Sequence, residues 1–307
     1  MKLLITGASG LLGINLAMEA MSEHEVIGVD RGKLKSAPFQ VFKTNFYNSR
    51  AFEPMLDLTQ PDWVINCAAL ANLEECEKHP DQAKILNTDL PQELATACAE
   101  RNIKFIHLST DAVFDGTKEG AYIEDDAPNP QGVYSQTKLN SEHAVQEANP
   151  GAIIARVNFF GWSLSGYRSL GEFFVNNLSE GKNVNGFTDV IFCPMWVNHL
   201  AQTLIAMLEK DLHGLYHVVG AQPMNKYQFG IEVARKFGLR ENLISPQSVE
   251  KSELTAKRSH NLWLSVHKLS TDLGRSLPEF STGLDGFYTQ FQQGYPQKIR
   301  GYQHFDA

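Results

Sequence analysis

The sequence predicts an α/β chain built on a doubly wound parallel sheet. Short apolar runs alternate with helix-like segments through the first 110 residues, the pattern of a parallel sheet covered on both faces. The runs KLLIT, EVIGVD, DWVINC and IKFIHLS are apolar almost throughout, as strands buried on both sides must be. The first run also ends in three glycines spaced G-x-x-G-x-x-G, just before a helical pattern begins.

Residues 2–6 read as a strand and 11–22 as a helix. Strands follow at 25–30 and 39–43, then a helix at 49–58 and a strand at 62–67. Residues 80–101 read as one long amphipathic helix, with Ala83, Leu86, Leu90, Leu94 and Ala97 at helical spacing. A strand at 103–109, a helix at 132–148 and a sixth strand at 152–157 complete the series. Past residue 160 the alternation loosens. Helices are expected at 171–180, 197–210, 226–237 and 283–293, and a strand at 215–219. Phe173, Phe174 and Phe187 are expected to fill the core of this second part. No internal repeat or low-complexity linker interrupts the 307 residues.

Composition narrows the function. Apolar residues make up 43% and charged residues 20%, which excludes disordered, collagenous and coiled-coil chains. The formal charge is −8 and the pI ≈ 5.7. The basic clusters are small (Arg31 with Lys33 and Lys35; Lys257 with Arg258), so no nucleic-acid partner is expected. Cys67, Cys76, Cys98 and Cys193 form no CxxC pair and no Cys/His cluster of zinc spacing. Free thiols in a reducing, cytoplasmic setting and no metal site are the expectation. The apolar start stops at Thr6-Gly7, and no run approaches the ~18 residues of a membrane span, so no membrane partner is expected.

The glycine turn carries the first functional signal. Gly7, Gly10 and Gly13, with Leu11 and Leu12 opening the helix, give a tight turn, close backbone approach to a diphosphate and close helix–strand packing. The helix N-terminus then presents free N–H groups to the phosphates. Asp30, which closes the second strand, favours NAD by accepting from the ribose hydroxyls. Arg31 and Lys33 follow at once and can hold a 2′-phosphate, so the expectation tilts slightly to NADP. Residues 1–160 thus read as a Rossmann-type dinucleotide-binding domain to which later segments return. Residues 161–307 read as mainly a smaller mixed α/β lobe for substrate.

Tyr134 and Lys138 form a Y-x-x-x-K pair, whose i, i+4 spacing puts both on one helix face. The helix follows the strand that ends in Ser109-Thr110-Asp111. Ligands of open parallel sheets lie at the carboxyl ends of strands, so Thr110 and Tyr134 can converge there. A phenol with a pKa near ~10 is a poor acid–base group at neutral pH. Lys138 is expected to lower it and to donate to the nicotinamide ribose. Tyr134 would then protonate a carbonyl oxygen while the Thr110 hydroxyl holds it. His79, His107 and His143 are isolated and read as structural.

The segments TGASGLLG, NCAALANLEECEKHPDQAKILN, STDAVFDG and PNPQGVYSQTKLNSE together resemble the extended short-chain dehydrogenase/reductases. Within that superfamily the chain is similar to the dTDP-4-dehydrorhamnose reductase family. The resemblance implies Thr110, Tyr134 and Lys138 as the catalytic set. It places Gly7, Gly10, Leu11, Leu12 and Gly13 at the diphosphate, Asp30 and Arg31 at the adenosine ribose, and Asn45 near the adenine. Cys67, Ala68, Ala69 and Ser109 would border the cofactor cleft. On the substrate side stand Thr110, Asp111 and Ala112, the last where the family usually carries Tyr. Trp162 is expected to stack on a base or sugar, and Arg258 to meet a diphosphate. Asp189 through Met195 and Arg258 through Asn261 also depart from the family pattern.

The implied activity is NAD(P)H-dependent reduction of a 4-keto-6-deoxy sugar nucleotide, by a family that includes monomers and homodimers. One alternative is a non-catalytic NADP-binding regulatory subunit like that of methionine adenosyltransferase. The other is a sugar-nucleotide epimerase or dehydratase. Dehydratases tend to carry acids directly after the Thr, and here Asp111 is followed by Ala112.

Overall fold

Seven parallel strands form the centre of the computed structural model, which describes residues 1–32, 34–252 and 259–302. They are β1 (Lys2–Thr6), β2 (Glu25–Asp30), β3 (Gln40–Lys43), β4 (Trp63–Asn66), β5 (Lys104–Thr110), β6 (Ile153–Val157) and, much later in the chain, β11 (Gly214–Val218). Their order is β11-β6-β5-β4-β1-β2-β3, with every pairing parallel. The chain runs outward from β1 through β3, then crosses back to β4. The crevice of the fold therefore opens between β1 and β4, at their carboxyl ends.

Successive strand residues face opposite ways, and the core divides accordingly. Leu3, Ile5, Ile65 and Ile106 pack under α1 (Leu11–Ala20) and α8 (Val197–Glu209). Leu4, Val64 and Phe105 pack under α2 (Glu53–Thr59), α5 (Leu90–Glu100) and α6 (Val133–Ala148).

The single helix expected over 80–101 is interrupted. α3 (Leu73–Lys78) and α4 (Pro80–Lys84) precede a widened π turn at Ile85–Asp89, and α5 follows. Pro91 has no N–H to give the Asn87 carbonyl, which removes the bond that would close a normal α turn there.

The smaller lobe holds short strands: β7 (Phe159–Phe160), β8 (Val184–Phe187), β9 (Ile191–Phe192), β10 (Met195–Trp196), β12 (Met224–Asn225), β13 (Ile244–Gln247) and β14 (Asn261–Leu262). Its helices are α7 (Leu170–Ser179), α9 (Lys226–Phe237), α11 (Phe280–Gln292) and α12 (Tyr295–Arg300). An aromatic core of Phe160, Trp162, Phe174, Phe229, Phe280 and Phe287 holds it together. Phe174 lies in that core as expected, but Phe173 is exposed on α7 and Phe187 only half-buried. α8, β11 and α10 (His267–Leu273) return to the central sheet.

Candidate active site

The glycine turn is a cradle with no room for side chains. Gly7 sits at φ 65°, and a Cβ on it would lie 2.7 Å from the Ala68 nitrogen. A Cβ on Gly13 would lie 2.2 Å from the Gly7 carbonyl oxygen. Gly10 caps α1 without a side chain, and no acidic residue occupies the first turn. The N–H groups of Leu11, Leu12 and Gly13 are left facing the crevice, where an anion would complement the helix dipole.

Asp30 is buried at the end of β2. Its Oδ2 accepts from the Ser9 N–H at 2.8 Å and its Oδ1 from the Arg31 N–H at 2.7 Å. Both carboxylate oxygens thus brace the turn, while the Arg31 side chain is exposed beside them. Lys33 lies outside the described residues, as do Lys257 and Arg258. Asn45 is exposed just past β3, with its Oδ1 accepting from the Tyr47 N–H at 3.1 Å. After β4, Cys67 is partly exposed, Ala68 lies beneath Gly7, and Ala69 is exposed. Burial pushes the Cys67 thiol up, against the opposing effect of the Lys138 charge.

Thr110 ends β5, and Tyr134 stands in the first turn of α6 with Lys138 one turn later. The Thr110 hydroxyl lies near enough to the Tyr134 phenol to act on its titration. It also donates to Asp111 Oδ1 at 3.1 Å and accepts from the Ala112 N–H at 3.2 Å. Thr110, Asp111, Ala112 and Tyr134 line one side of a cavity of about 380 Å³, faced by Asn158 and Lys226.

The electrostatics differ from the expectation at one point. Lys138 does not bring the phenol down: burial pushes Tyr134 up to about 12, against the lowering effect of Thr110 and with the Asp111 charge adding to the rise. The lysine is the group that moves toward neutrality, pulled down to about 7 by burial, with Glu142 and Cys67 opposing. Burial also raises the Asp111 carboxyl to about 6, opposed by Asn158, Thr110 and Lys226.

A further expectation is corrected. Trp162 does not face the cleft. It is 1% exposed, its Nε1 donates to the Phe287 carbonyl at 3.0 Å, and its ring stacks on Phe287. The Ser109 hydroxyl donates to Glu142 Oε1 on α6.

Sequence reasoning missed Asn158, whose Nδ2 donates to Asp111 Oδ2, and Lys226, the first residue of α9. Asn158 had a usable signal, because it directly follows the carboxyl end of β6. Lys226 had none, since it is brought in by the packing of the smaller lobe. Among the described residues no group of three His, Cys, Asp or Glu is placed to hold a metal ion. Nor, among them, is any helix long and apolar enough to cross a membrane.

Comparison with known proteins matches this geometry. A probable low-salt glycan biosynthesis reductase of Haloferax volcanii is 31% identical over 292 residues, covering 94% of this chain and 97% of that protein. Methionine adenosyltransferase 2 subunit beta of Bos taurus is 30% identical over 296 residues, covering 90% of this chain and 84% of its own length. The crystal structure of a dTDP-4-dehydrorhamnose reductase from Clostridium acetobutylicum superposes with a TM-score of 0.85 at 27% identity, covering 95% of this chain and 100% of that one. Residues 1–293 match the RmlD substrate binding domain, and the chain belongs to that family.

Proposed function

We propose that this chain reduces the keto group of a nucleotide-linked 4-keto-6-deoxy sugar, acting as a dTDP-4-dehydrorhamnose reductase with Thr110, Tyr134 and Lys138 as its catalytic residues. The observation that carries the reading is that Thr110 and Tyr134 line one open cavity, at the carboxyl ends of the sheet whose first strand carries the glycine cradle. That cradle fits a dinucleotide, because its glycines let the loop close tightly on the helix while the N–H groups of the first turn stay open to a diphosphate. When bound, the nicotinamide cofactor supplies the hydride that reduces the carbonyl carbon.

The residues of the chain handle the proton. With its phenol raised to about 12, Tyr134 is fully protonated at neutral pH and acts as the acid toward the carbonyl oxygen. Thr110 accepts from the Ala112 N–H, so its own proton is free to turn from Asp111 to the same oxygen. Lys138 lies beneath them, where it can hold the nicotinamide ribose. Asp111, Ala112, Asn158 and Lys226 line the substrate side, and Ala112 leaves space where the family usually places a phenol.

Leu11, Leu12 and Gly13 would hold the diphosphate, Asn45 would border the adenine, and Cys67, Ala68 and Ala69 would form the near wall. NADPH is favoured over NADH because the Asp30 oxygens are engaged by backbone N–H groups, while the Arg31 guanidinium is exposed to meet a 2′-phosphate.

The test is oxidation of NADPH and of NADH, followed by absorbance, with dTDP-4-dehydro-6-deoxy-L-mannose as substrate. Faster oxidation of NADPH is the expected result. Tight NADPH binding without oxidation would replace this reading with a cofactor-binding subunit that lacks turnover. The 30% identity to methionine adenosyltransferase 2 subunit beta is the observation favouring that second reading.

A further inference from the structure

Thr6, Asn66 and His107 are register partners on β1, β4 and β5. Their side chains therefore leave the sheet in a row on one face, the face covered by α6. The row has a direction. The Ala68 N–H reaches Thr6 Oγ1 at 3.4 Å and Asn66 Oδ1 at 3.3 Å, and the Thr6 hydroxyl donates to Asn66 Oδ1 at 2.6 Å. A reversed Asn66 amide would set its NH2 against that backbone N–H, donor to donor, so the orientation is fixed. Asn66 Nδ2 then donates to His107 Nδ1 at 3.2 Å. His107 is fully buried, and burial is the main cause that keeps it neutral. Its single proton is thus on Nε2. That nitrogen lies 2.8 Å from Ser141 Oγ and 3.2 Å from Lys138 Nζ, and the Ser141 hydroxyl donates onward to the Lys138 carbonyl at 2.6 Å.

We propose that His107 is a positioning residue for Lys138: Thr6 and Asn66 lock its imidazole in the Nε2–H tautomer, and the locked N–H favours the lysine amine over the ammonium. The proposal takes the catalytic role of Lys138 from the reductase reading above. The Nε2 proton goes to Ser141 Oγ, whose own proton goes to the Lys138 carbonyl, so His107 turns no lone pair to Lys138 Nζ, and an ammonium, which has only donors, finds no acceptor there. The other groups around Lys138 are Tyr134 and Glu142 on its own helix and Cys67 after β4. Glu142 is engaged by Arg156 through Nε at 2.9 Å and Nη2 at 2.7 Å, and by Ser109. The Cys67 thiol stays protonated because burial pushes it up. Burial pulls Lys138 down to about 7 with Glu142 and Cys67 opposing, and the missing acceptor on His107 acts in the same direction as burial.

Asn66→Asp reverses the lock. A carboxylate only accepts, so it draws the imidazole proton to Nδ1 and leaves Nε2 as an acceptor for the Lys138 ammonium. Nitrogen NMR of the full chain is expected to show His107 protonated at Nε2 in the wild type and at Nδ1 in Asn66→Asp. The pH midpoint of NADPH binding, read by fluorescence, is expected to move up by about one pH unit in that variant. His107→Gln, whose amide can turn its oxygen to Lys138, moves the midpoint the same way and serves if Asn66→Asp does not fold. Ser141→Ala leaves the tautomer unchanged. A wild-type His107 protonated at Nδ1, or an unmoved midpoint in both His107→Gln and a folded Asn66→Asp, overturns the proposal. A wild type that binds NADPH without turnover overturns the reductase reading instead, and the tautomer and binding measurements still decide the lock.

Discussion

Tyr134 holds its proton tightly, and a reductase needs that form, because the phenol must give a proton to an oxygen gaining negative charge. Tyr134→Phe removes the donor and leaves the glycine cradle intact. Turnover is expected to fall by about 10²–10⁴-fold with NADPH affinity unchanged; loss of both together would mean the ring has a structural role instead. Asp111 makes a different prediction. Its carboxyl titrates at about 6 in the folded chain, against an ordinary value of 3.8. The folded state therefore binds more protons than the unfolded state between those values. Stability from this group is complete below the ordinary value and is lost as pH rises through about 6. At pH 7.5 the buried charge costs at most about 3 kcal/mol. Asp111→Asn should raise the melting temperature at pH 7.5, by about 1.5 °C for each kcal/mol recovered, and leave it unchanged at about pH 3. The placement of Thr110, Tyr134 and Lys138 on the end of β5 and the first turns of α6 was legible, because a strand end and an i, i+4 spacing fix it. The contacts of His107 were not, since they depend on register with Asn66 and Thr6, which single strands do not reveal. Trp162 was misplaced for a related reason: an aromatic just past a strand says nothing about which side of the chain it packs on.

α1 shows how tightly the cofactor cradle is tied to packing. A Cβ on Gly13 would sit 2.8 Å from the Ala8 Cα as well as against the Gly7 carbonyl, and neither neighbour is a flexible side chain. Gly13→Ala must therefore push the first turn of the helix away from the glycine loop. The expected cost is about 1–3 kcal/mol, with a matching loss of NADPH affinity. Thermal melting and a cofactor titration read the two effects, and unchanged affinity would separate the cradle from cofactor binding. The strands of the central sheet were legible because burial on both faces leaves continuous apolar runs. The break between α4 and α5 was not. The apolar spacing from Ala83 to Ala97 is blind to one widened turn, and what sets that turn is specific: Pro91 withholds a donor, and Asn87 clamps the loop after β4 to α6. Its Oδ1 accepts from the Leu70 N–H at 2.8 Å, and its Nδ2 donates to the Leu70 carbonyl at 3.1 Å and to Thr137 Oγ1 at 3.2 Å. The two-residue strands of the smaller lobe left no periodicity to read.

The two lobes are not separable, although the change in sequence character near residue 160 suggests a boundary. β11 pairs along the full length of β6, so a chain ending at 160 would expose that edge. Leu12, Leu16 and Ala17 of α1 pack against Leu200, Leu204 and Met207 of α8, so the same cut would uncover an apolar helix face. Polar contacts tie the lobes at the same place. Asn15 Nδ2 donates to the Trp162 carbonyl at 2.8 Å, and the Tyr295 hydroxyl donates to Asn15 Oδ1 at 2.9 Å. α1 is thus at once the helix that the glycine turn opens, part of the central core and the attachment of the smaller lobe, so the cofactor proposed for its N-terminus would act on all three. The full chain is expected to melt in one transition, and NADPH at a hundred times its Kd should stabilise that transition by about 2.7 kcal/mol. Residues 1–160 expressed alone should aggregate or melt without cooperativity. Calorimetry that resolved two transitions, with only one shifted by NADPH, would show that the lobes fold independently and that α1 does not couple them.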